Sequence, residues 1–179
     1  MPTDDGLLPP LTLVLGGARS GKSAYAEALI GKAADHAIFV ATAEPLDEEM
    51  SARIAWHKAR RGPRWITVEE PLELASALVR ECRLGRPMLV DCLTLWLSNL
   101  MQAERDIAGE IERLAAVVTR IEAPVVLVAN EVGSGIVPEN ALARAFRDHA
   151  GRLNQEMAAL ADHVVLVVAG LPLVLKNGR

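Results

Sequence analysis

One stretch of this 179-residue sequence, Gly16-Gly17-Ala18-Arg19-Ser20-Gly21-Lys22-Ser23, has the spacing G-x-x-x-x-G-K-[ST], and its chemistry is that of a phosphate cradle. Glycines let backbone N–H groups converge on phosphate oxygens. A helix beginning near Lys22 adds its N-terminal dipole, Lys22 neutralises charge, and the Ser23 hydroxyl can ligate Mg²⁺. An apolar run of strand length precedes the motif and a helical period follows it, the context such a loop requires. The stretch implies binding of a nucleoside triphosphate. Asp91 closes the apolar run Met88-Leu89-Val90, where proteins with this loop place an acidic residue near the metal. An acidic cap on a strand end is the plainer alternative.

A second constellation surrounds His57. Arg53 lies four residues before it, Arg60 three after and Arg61 four after, so a single helical face gathers all of them. Neighbouring positive charge favours a neutral imidazole at pH 7, since histidine titrates near ~6.5 when unperturbed. The C-terminal end of the helix acts in the opposite direction. A neutral imidazole is a nucleophile: attack on a nucleotide phosphorus gives a phosphoramidate, with the guanidinium groups binding the transferred group and the departing pyrophosphate. On spacing alone the plainer reading prevails, because a lone histidine at a basic helix end is more often a solvated surface residue. His36, His149 and His163 lack metal-ligand spacing.

These residues need a scaffold, and the hydropathy pattern supplies one. Strand-length apolar runs at Leu11 to Leu15, Ala37 to Ala41, Pro87 to Asp91, Val125 to Ala129 and His163 to Ala169 are rich in Val and Leu on both faces, as buried parallel strands require. Trp65 to Val68 reads as an added edge strand. Between them, apolar residues recur every three or four positions over Lys22 to Ala33, Leu46 to Arg61, Leu72 to Arg83, Thr94 to Ala103, Ile107 to Ile121 and Glu139 to Ala161, the signature of helices. Strand alternating with helix predicts an α/β fold, a mostly parallel sheet flanked by helices with right-handed crossovers. Asn130 to Asn140, with Gly133 and Gly135, then falls at the carboxyl edge where such sheets bind ligands. Arg144, Arg147, Asp148, Arg152, Asn154 and Gln155 follow on a helix, as substrate contacts or as a solvated face with i,i+4 pairs.

Length and composition narrow the class. At ~150 residues per domain the chain is one domain, with Met1 to Pro10 read as a loose tail and residues 11–179 as the nucleotide-binding domain. The tail has Asp4 and Asp5 and no basic stretch before an apolar one, so it does not read as a secretory signal. A hydrophobic fraction of 51% and a mean hydropathy of +0.21 exclude a disordered chain. The longest apolar run, Val164 to Leu175, is broken by Gly170 and Pro172 and is shorter than the ~20 residues that span a bilayer. Net charge is −4, which advertises no nucleic-acid face, and so few aromatic residues offer no stacking platform. The two cysteines, Cys82 and Cys92, fit a reducing cytoplasm and no disulfide framework.

Taken together, Gly16 to Ser23, Ala41-Thr42-Ala43, Asp47-Glu48-Glu49-Met50, Arg53-Ile54-Ala55-Trp56-His57-Lys58, Asn130 to Asn140 and Arg147 to Gln155 resemble the bifunctional adenosylcobinamide kinase and adenosylcobinamide-phosphate guanylyltransferase family of cobalamin biosynthesis. The resemblance runs from Leu11 to Lys176, and its specificity lies in the order of the motifs. It implies a P-loop NTPase fold of RecA type and two reactions: phosphorylation of adenosylcobinamide with ATP or GTP, then transfer of GMP from GTP to adenosylcobinamide phosphate. It also implies that His57 becomes guanylylated, with Arg53 in support. Implied nucleotide contacts are the loop Gly16, Gly17, Ala18, Arg19, Ser20, Gly21, Lys22 and Ser23, then Ala41, Thr42, Ala43, Lys58, Ala59, Arg60, Arg61, Glu69 and Asp91. Mg²⁺ would sit on Ser23 and Asp91. A cytoplasmic homo-oligomer, a trimer, is implied as well. The rival readings are a P-loop small-molecule kinase without a covalent step and a nucleotide-gated binding protein.

Overall fold

Strands buried on both faces need apolar side chains at every position, and Leu11–Gly16 (β1) is buried along its whole length. So is Ala37–Ala41 (β2). The computed structural model describes residues 8–44 and 62–178. Within them the remaining strands are Trp65–Glu69 (β3), Met88–Asp91 (β4), Val125–Asn130 (β5), His163–Val168 (β6) and Leu171–Asn177 (β7). The helices are Lys22–Ala33 (α1), Leu74–Glu81 (α2, followed by a 3₁₀ turn at Cys82–Leu84), Leu93–Gln102 (α3), Ile107–Val118 (α4) and Ala141–Leu160 (α5). The strands form one sheet in the order β3-β2-β4-β5-β1-β6-β7. Every neighbouring pair is parallel except the hairpin β6–β7.

Alternation along each strand divides the core in two. Leu11, Leu13 and Leu15 of β1, with Ile38, Val40, Met88, Val90, Val125 and Leu127, face a layer containing Leu74, Leu78, Trp96, Leu97, Leu114, Leu153 and Met157 from α2 to α5. Val14, Phe39, Leu89, Val126, Val128, Val165 and Val167 face the other way, onto Ala26 and Ile30 of α1. Trp96, Leu97 and Leu114 are fully buried, and each such side chain stabilises the fold by about 1.5–3 kcal/mol. At the sheet edge, Phe39 and Trp65 meet edge to face, 5.9 Å between centroids.

Element ends follow local hydrogen bonding more closely than hydropathy. The helix expected from Leu72 starts at Leu74, because Glu70 Oε1 accepts the N–H groups of Leu72 and Glu73 ahead of it. The helix expected from Glu139 starts at Ala141, where Asn140 Oδ1 accepts from Leu142 and Ala143. The helix expected to reach Ile121 stops at Val118; the next hydroxyl, Thr119 Oγ1, donates to the carbonyls of Ala115 and Ala116. β7 is an element that the sequence reading did not anticipate. Ala169 (φ 52°) and Gly170 (φ 79°) both take left-handed backbone, so the apolar run reverses in a two-residue hairpin turn. Pro172 is tolerated because β7 is an edge strand. At the other end of the chain, Leu8 packs on the α1 side of the core and the Pro10 carbonyl accepts from Val125 N–H. The expected helix Leu46 to Arg61 lies outside the described residues.

Candidate functional site

The turn between β1 and α1 has the form of an anion cradle. Gly16 leaves no room for a side chain: a Cβ there would lie 2.4 Å from Ser20 Oγ and 2.7 Å from the Val167 carbonyl oxygen. Gly21 takes φ 95° and sits at the N-cap of α1, with no side chain bonding the exposed amides and no acidic residue in the first turn. Helices α2, α3 and α4 also lack a side-chain cap, and α5 is capped by Asn140, so it is the glycines and Lys22 that mark out this N-terminus. Free N–H groups, the positive end of α1 and Lys22 therefore converge on one space, the arrangement that holds a phosphate chain. Lys22 Nζ donates to the Gly17 carbonyl at 3.2 Å, so the ammonium group lies over the loop. The hairpin turn braces this loop from behind, Gly170 N–H donating to the Ser20 carbonyl at 2.8 Å.

Register places the other expected residues on the same edge. Glu69, Ala41 and Asp91 are successive partners across β3, β2 and β4, and Gly16 pairs with Asn130 across β1 and β5. All stand at carboxyl ends of parallel strands, where α/β sheets bind ligands. Asp91 and Ser23 are oxygen donors suited to Mg²⁺, a hard cation that keeps water and substrate phosphates and needs only one or two protein oxygens. Among the described residues no three His, Cys, Asp or Glu side chains gather into a metal cage.

Beneath this edge lies a layer of buried polar groups. Thr42 is fully buried, and its Oγ1 donates to the Cys92 carbonyl at 2.7 Å while accepting from Cys92 N–H at 2.9 Å. Asn99 Nδ2 donates to the Thr42 carbonyl at 2.8 Å. The backbone of Asn130 is held on both sides: its N–H donates to Thr94 Oγ1 at 2.7 Å and its carbonyl accepts from Asn154 Nδ2 at 3.1 Å. Ser20 Oγ and Asn130 Oδ1 are buried without a hydrogen-bond partner among the described residues. Burial and the neighbouring Asp91 carboxylate push the Cys92 thiol up to about 11, so at neutral pH it is a protonated core group and not a nucleophile.

The structure thus sets the loop Gly16 to Ser23, the strand end Ala41 to Ala43, Glu69 and Asp91 along one edge of the sheet, with Glu69 on β3 four strands away from the loop. Arg53, His57, Lys58, Ala59, Arg60 and Arg61 lie outside the described residues, in the stretch that joins β2 to β3. Sequence reasoning missed the supporting roles of Thr42, Thr94, Asn99 and Asn154. Asn154, grouped by the sequence with a polar helix face, is turned inward and only 8% exposed. Arg144 donates to the Pro138 and Glu139 carbonyls ahead of α5, and Arg147 pairs with Asp148 at 3.7 Å.

Comparison with known proteins agrees with this arrangement. Among solved structures, the type III secretion ATPase EscN of enteropathogenic E. coli superposes with a TM-score of 0.64 at 11% identity, over 96% of this chain and 48% of that one. The flagellar accessory protein FlaH of Methanocaldococcus jannaschii gives 0.55 at 10% identity, over 96% and 80%. Such likenesses establish the P-loop NTPase fold. Far closer in sequence are the bifunctional adenosylcobalamin biosynthesis proteins CobP of Pseudomonas aeruginosa, 46% identical over 92% of this chain and 96% of that protein, and CobU of Salmonella typhimurium, 46% identical over 93% and 99%. Residues 12–175 match the family described as cobinamide kinase / cobinamide phosphate guanyltransferase. The chain belongs to that family.

Proposed function

We propose that the chain performs its guanylyl transfer through a covalent GMP adduct on His57. The family's activity is bifunctional: a hydroxyl of adenosylcobinamide is phosphorylated, and GMP from GTP is then joined to that phosphate, with pyrophosphate released. The observation that carries the nucleotide part is the loop Gly16 to Lys22 at the N-terminus of α1, closed to a side chain at Gly16 and with Lys22 Nζ lying over it, on the same sheet edge as Asp91.

Lys22 and the loop amides bind the phosphate chain and hold it in line for attack. Ser23 and Asp91 would hold Mg²⁺, which neutralises charge on the phosphates. A ring nitrogen of His57 attacks the α-phosphorus of GTP; the N–P bond forms as the bond to pyrophosphate breaks. An oxygen of the cobinamide phosphate then attacks the same phosphorus, and the N–P bond breaks to free the imidazole. Arg53, Arg60 and Arg61, three or four residues from His57 in the sequence, compensate charge in both steps. This supports His57 as the nucleophile in preference to the other three histidines: His149 has one arginine at such a spacing, Arg152, and His36 and His163 have none. The chain acts as a homo-oligomer, a contact with another copy being supported by the exposed leucines of β7 and the trimeric state by the family resemblance alone. A cytoplasmic location is supported by its two free thiols.

The test is His57→Ala assayed for both reactions. Guanylyl transfer to adenosylcobinamide phosphate is expected to disappear while phosphorylation of adenosylcobinamide persists. Equal loss of both in a protein that still melts cooperatively would contradict the division of roles.

A further inference from the structure

Asp91 can serve the nucleotide only if its carboxylate is aimed, and the strand that carries it ends there. β4 stops at Asp91 and the next residue, Cys92, is the N-cap of α3. Between strand and helix the chain is held by one side chain from β2's end. Thr42 Oγ1 donates to the Cys92 carbonyl at 2.7 Å and accepts the Cys92 N–H at 2.9 Å. The Thr42 N–H meets the Asp91 carbonyl at 3.3 Å. Asn99, 5% exposed, fixes Thr42 in turn, donating to its carbonyl at 2.8 Å and to the Pro71 carbonyl at 3.1 Å.

A hydroxyl has one proton, and that of Thr42 is spent on Cys92. Its side chain has no exposed surface from which to touch a nucleotide. We propose that Thr42 is a positioning residue of the phosphoryl-transfer site: by gripping both polar groups of the Cys92 backbone it sets the direction of the Asp91 carboxylate toward the nucleotide's metal ion. The role of Asp91 at the metal comes from the motif reading; the part assigned to Thr42 is new. No other side chain among the described residues bonds the Cys92 backbone, and water cannot replace the hydroxyl at a site without exposed surface. Valine has nearly the shape of threonine and neither hydrogen bond; the Cys92 carbonyl keeps the Trp96 N–H at 3.1 Å, but the buried Cys92 N–H loses its partner, so the backbone would shift there and carry Asp91 with it.

The experiment follows Mn²⁺ as a probe by electron paramagnetic resonance, titrated into full-length protein with GTP. Binding of GTP in EDTA and the melting transition are measured alongside. Thr42→Val is expected to weaken Mn²⁺ binding about ten-fold or more, the usual scale for a group that orients a metal ligand, and to weaken it further than it weakens metal-free GTP binding. Thr42→Ser, which keeps the hydroxyl, is expected to restore it. Asp91→Asn should weaken Mn²⁺ in the same way, and adding Thr42→Val to Asp91→Asn should cost nothing more, because the two act as one unit. Additive losses, an unchanged Mn²⁺ affinity in Thr42→Val, or equal loss of metal-free GTP binding would each overturn the proposal. If Thr42→Val does not fold, Thr42→Ala is read by the same cycle; failure of both to fold makes Thr42 purely structural and ends the proposal.

Discussion

Lys22 is the one cationic side chain of the loop motif's G-K-[ST] step, and its ammonium already lies over the loop, bonded to the Gly17 carbonyl. In the proposed mechanism both reactions draw on a triphosphate held there. Removing a charged group that stabilises transferring phosphate typically costs 10²-fold or more. Lys22→Ala is therefore expected to lower kcat/KM for phosphorylation and for pyrophosphate release alike by about 10²-fold or more, with the melting temperature unchanged; steady-state assays of the two half-reactions check this. At this scale the sequence was legible where chemistry is local. Gly16 to Ser23 can be read because the cradle is built from eight consecutive residues. Thr42, Asn99 and Asn154 could not be, because their partners Cys92, Thr42 and Asn130 lie 50, 57 and 24 residues away. A buried polar residue announces its partner only once the sheet brings the two together.

Among the elements, the parallel strands were legible because burial on both faces leaves unbroken Val and Leu runs. β7 was hidden by its own composition. Its residues continue the apolar run of β6, and only the left-handed pair Ala169 and Gly170 separates the two strands. Once formed, β7 exposes Leu171 (72%), Leu173 (56%) and Leu175 (55%) along the open edge of the sheet. An exposed apolar edge is costly for a free monomer and suited to contact with another chain. In the proposed oligomer, Leu173→Glu is expected to shift the protein toward the monomer in light scattering, with the monomer still folded by circular dichroism. An unchanged assembly would remove β7 from the contact.

Over the whole molecule, the seven-stranded sheet carries the chemistry at its carboxyl edge and structural bonds at its opposite end. His163, which opens β6, belongs to the latter: it is 5% exposed, and its Nδ1 meets Asn177 Oδ1 at 3.1 Å. Burial lowers its pKa. The unfolded chain, titrating near ~6.5, then binds the proton first as pH falls. Stability from this group is full above ~pH 6.5 and declines below it, through the lowered folded-state value. Melting temperatures measured from about pH 8 to pH 5 should show this decline in the native protein and a shallower one in His163→Gln; parallel profiles would assign the acid loss to other groups. The fold is shared with a type III secretion ATPase at 11% identity, so the sheet by itself does not distinguish hydrolysis from transfer. His57 makes that distinction in the proposed mechanism.

The direct measurement is the position of the label on the protein after incubation with GTP. With GTP labelled at the α-phosphate, counts should remain on the denatured chain, labile to acid and stable to base as a phosphoramidate is, and be absent from His57→Ala. With γ-labelled GTP none should remain. Label retained by His57→Ala, or no α-label on a native protein that still forms the guanylylated product, would contradict transfer through His57.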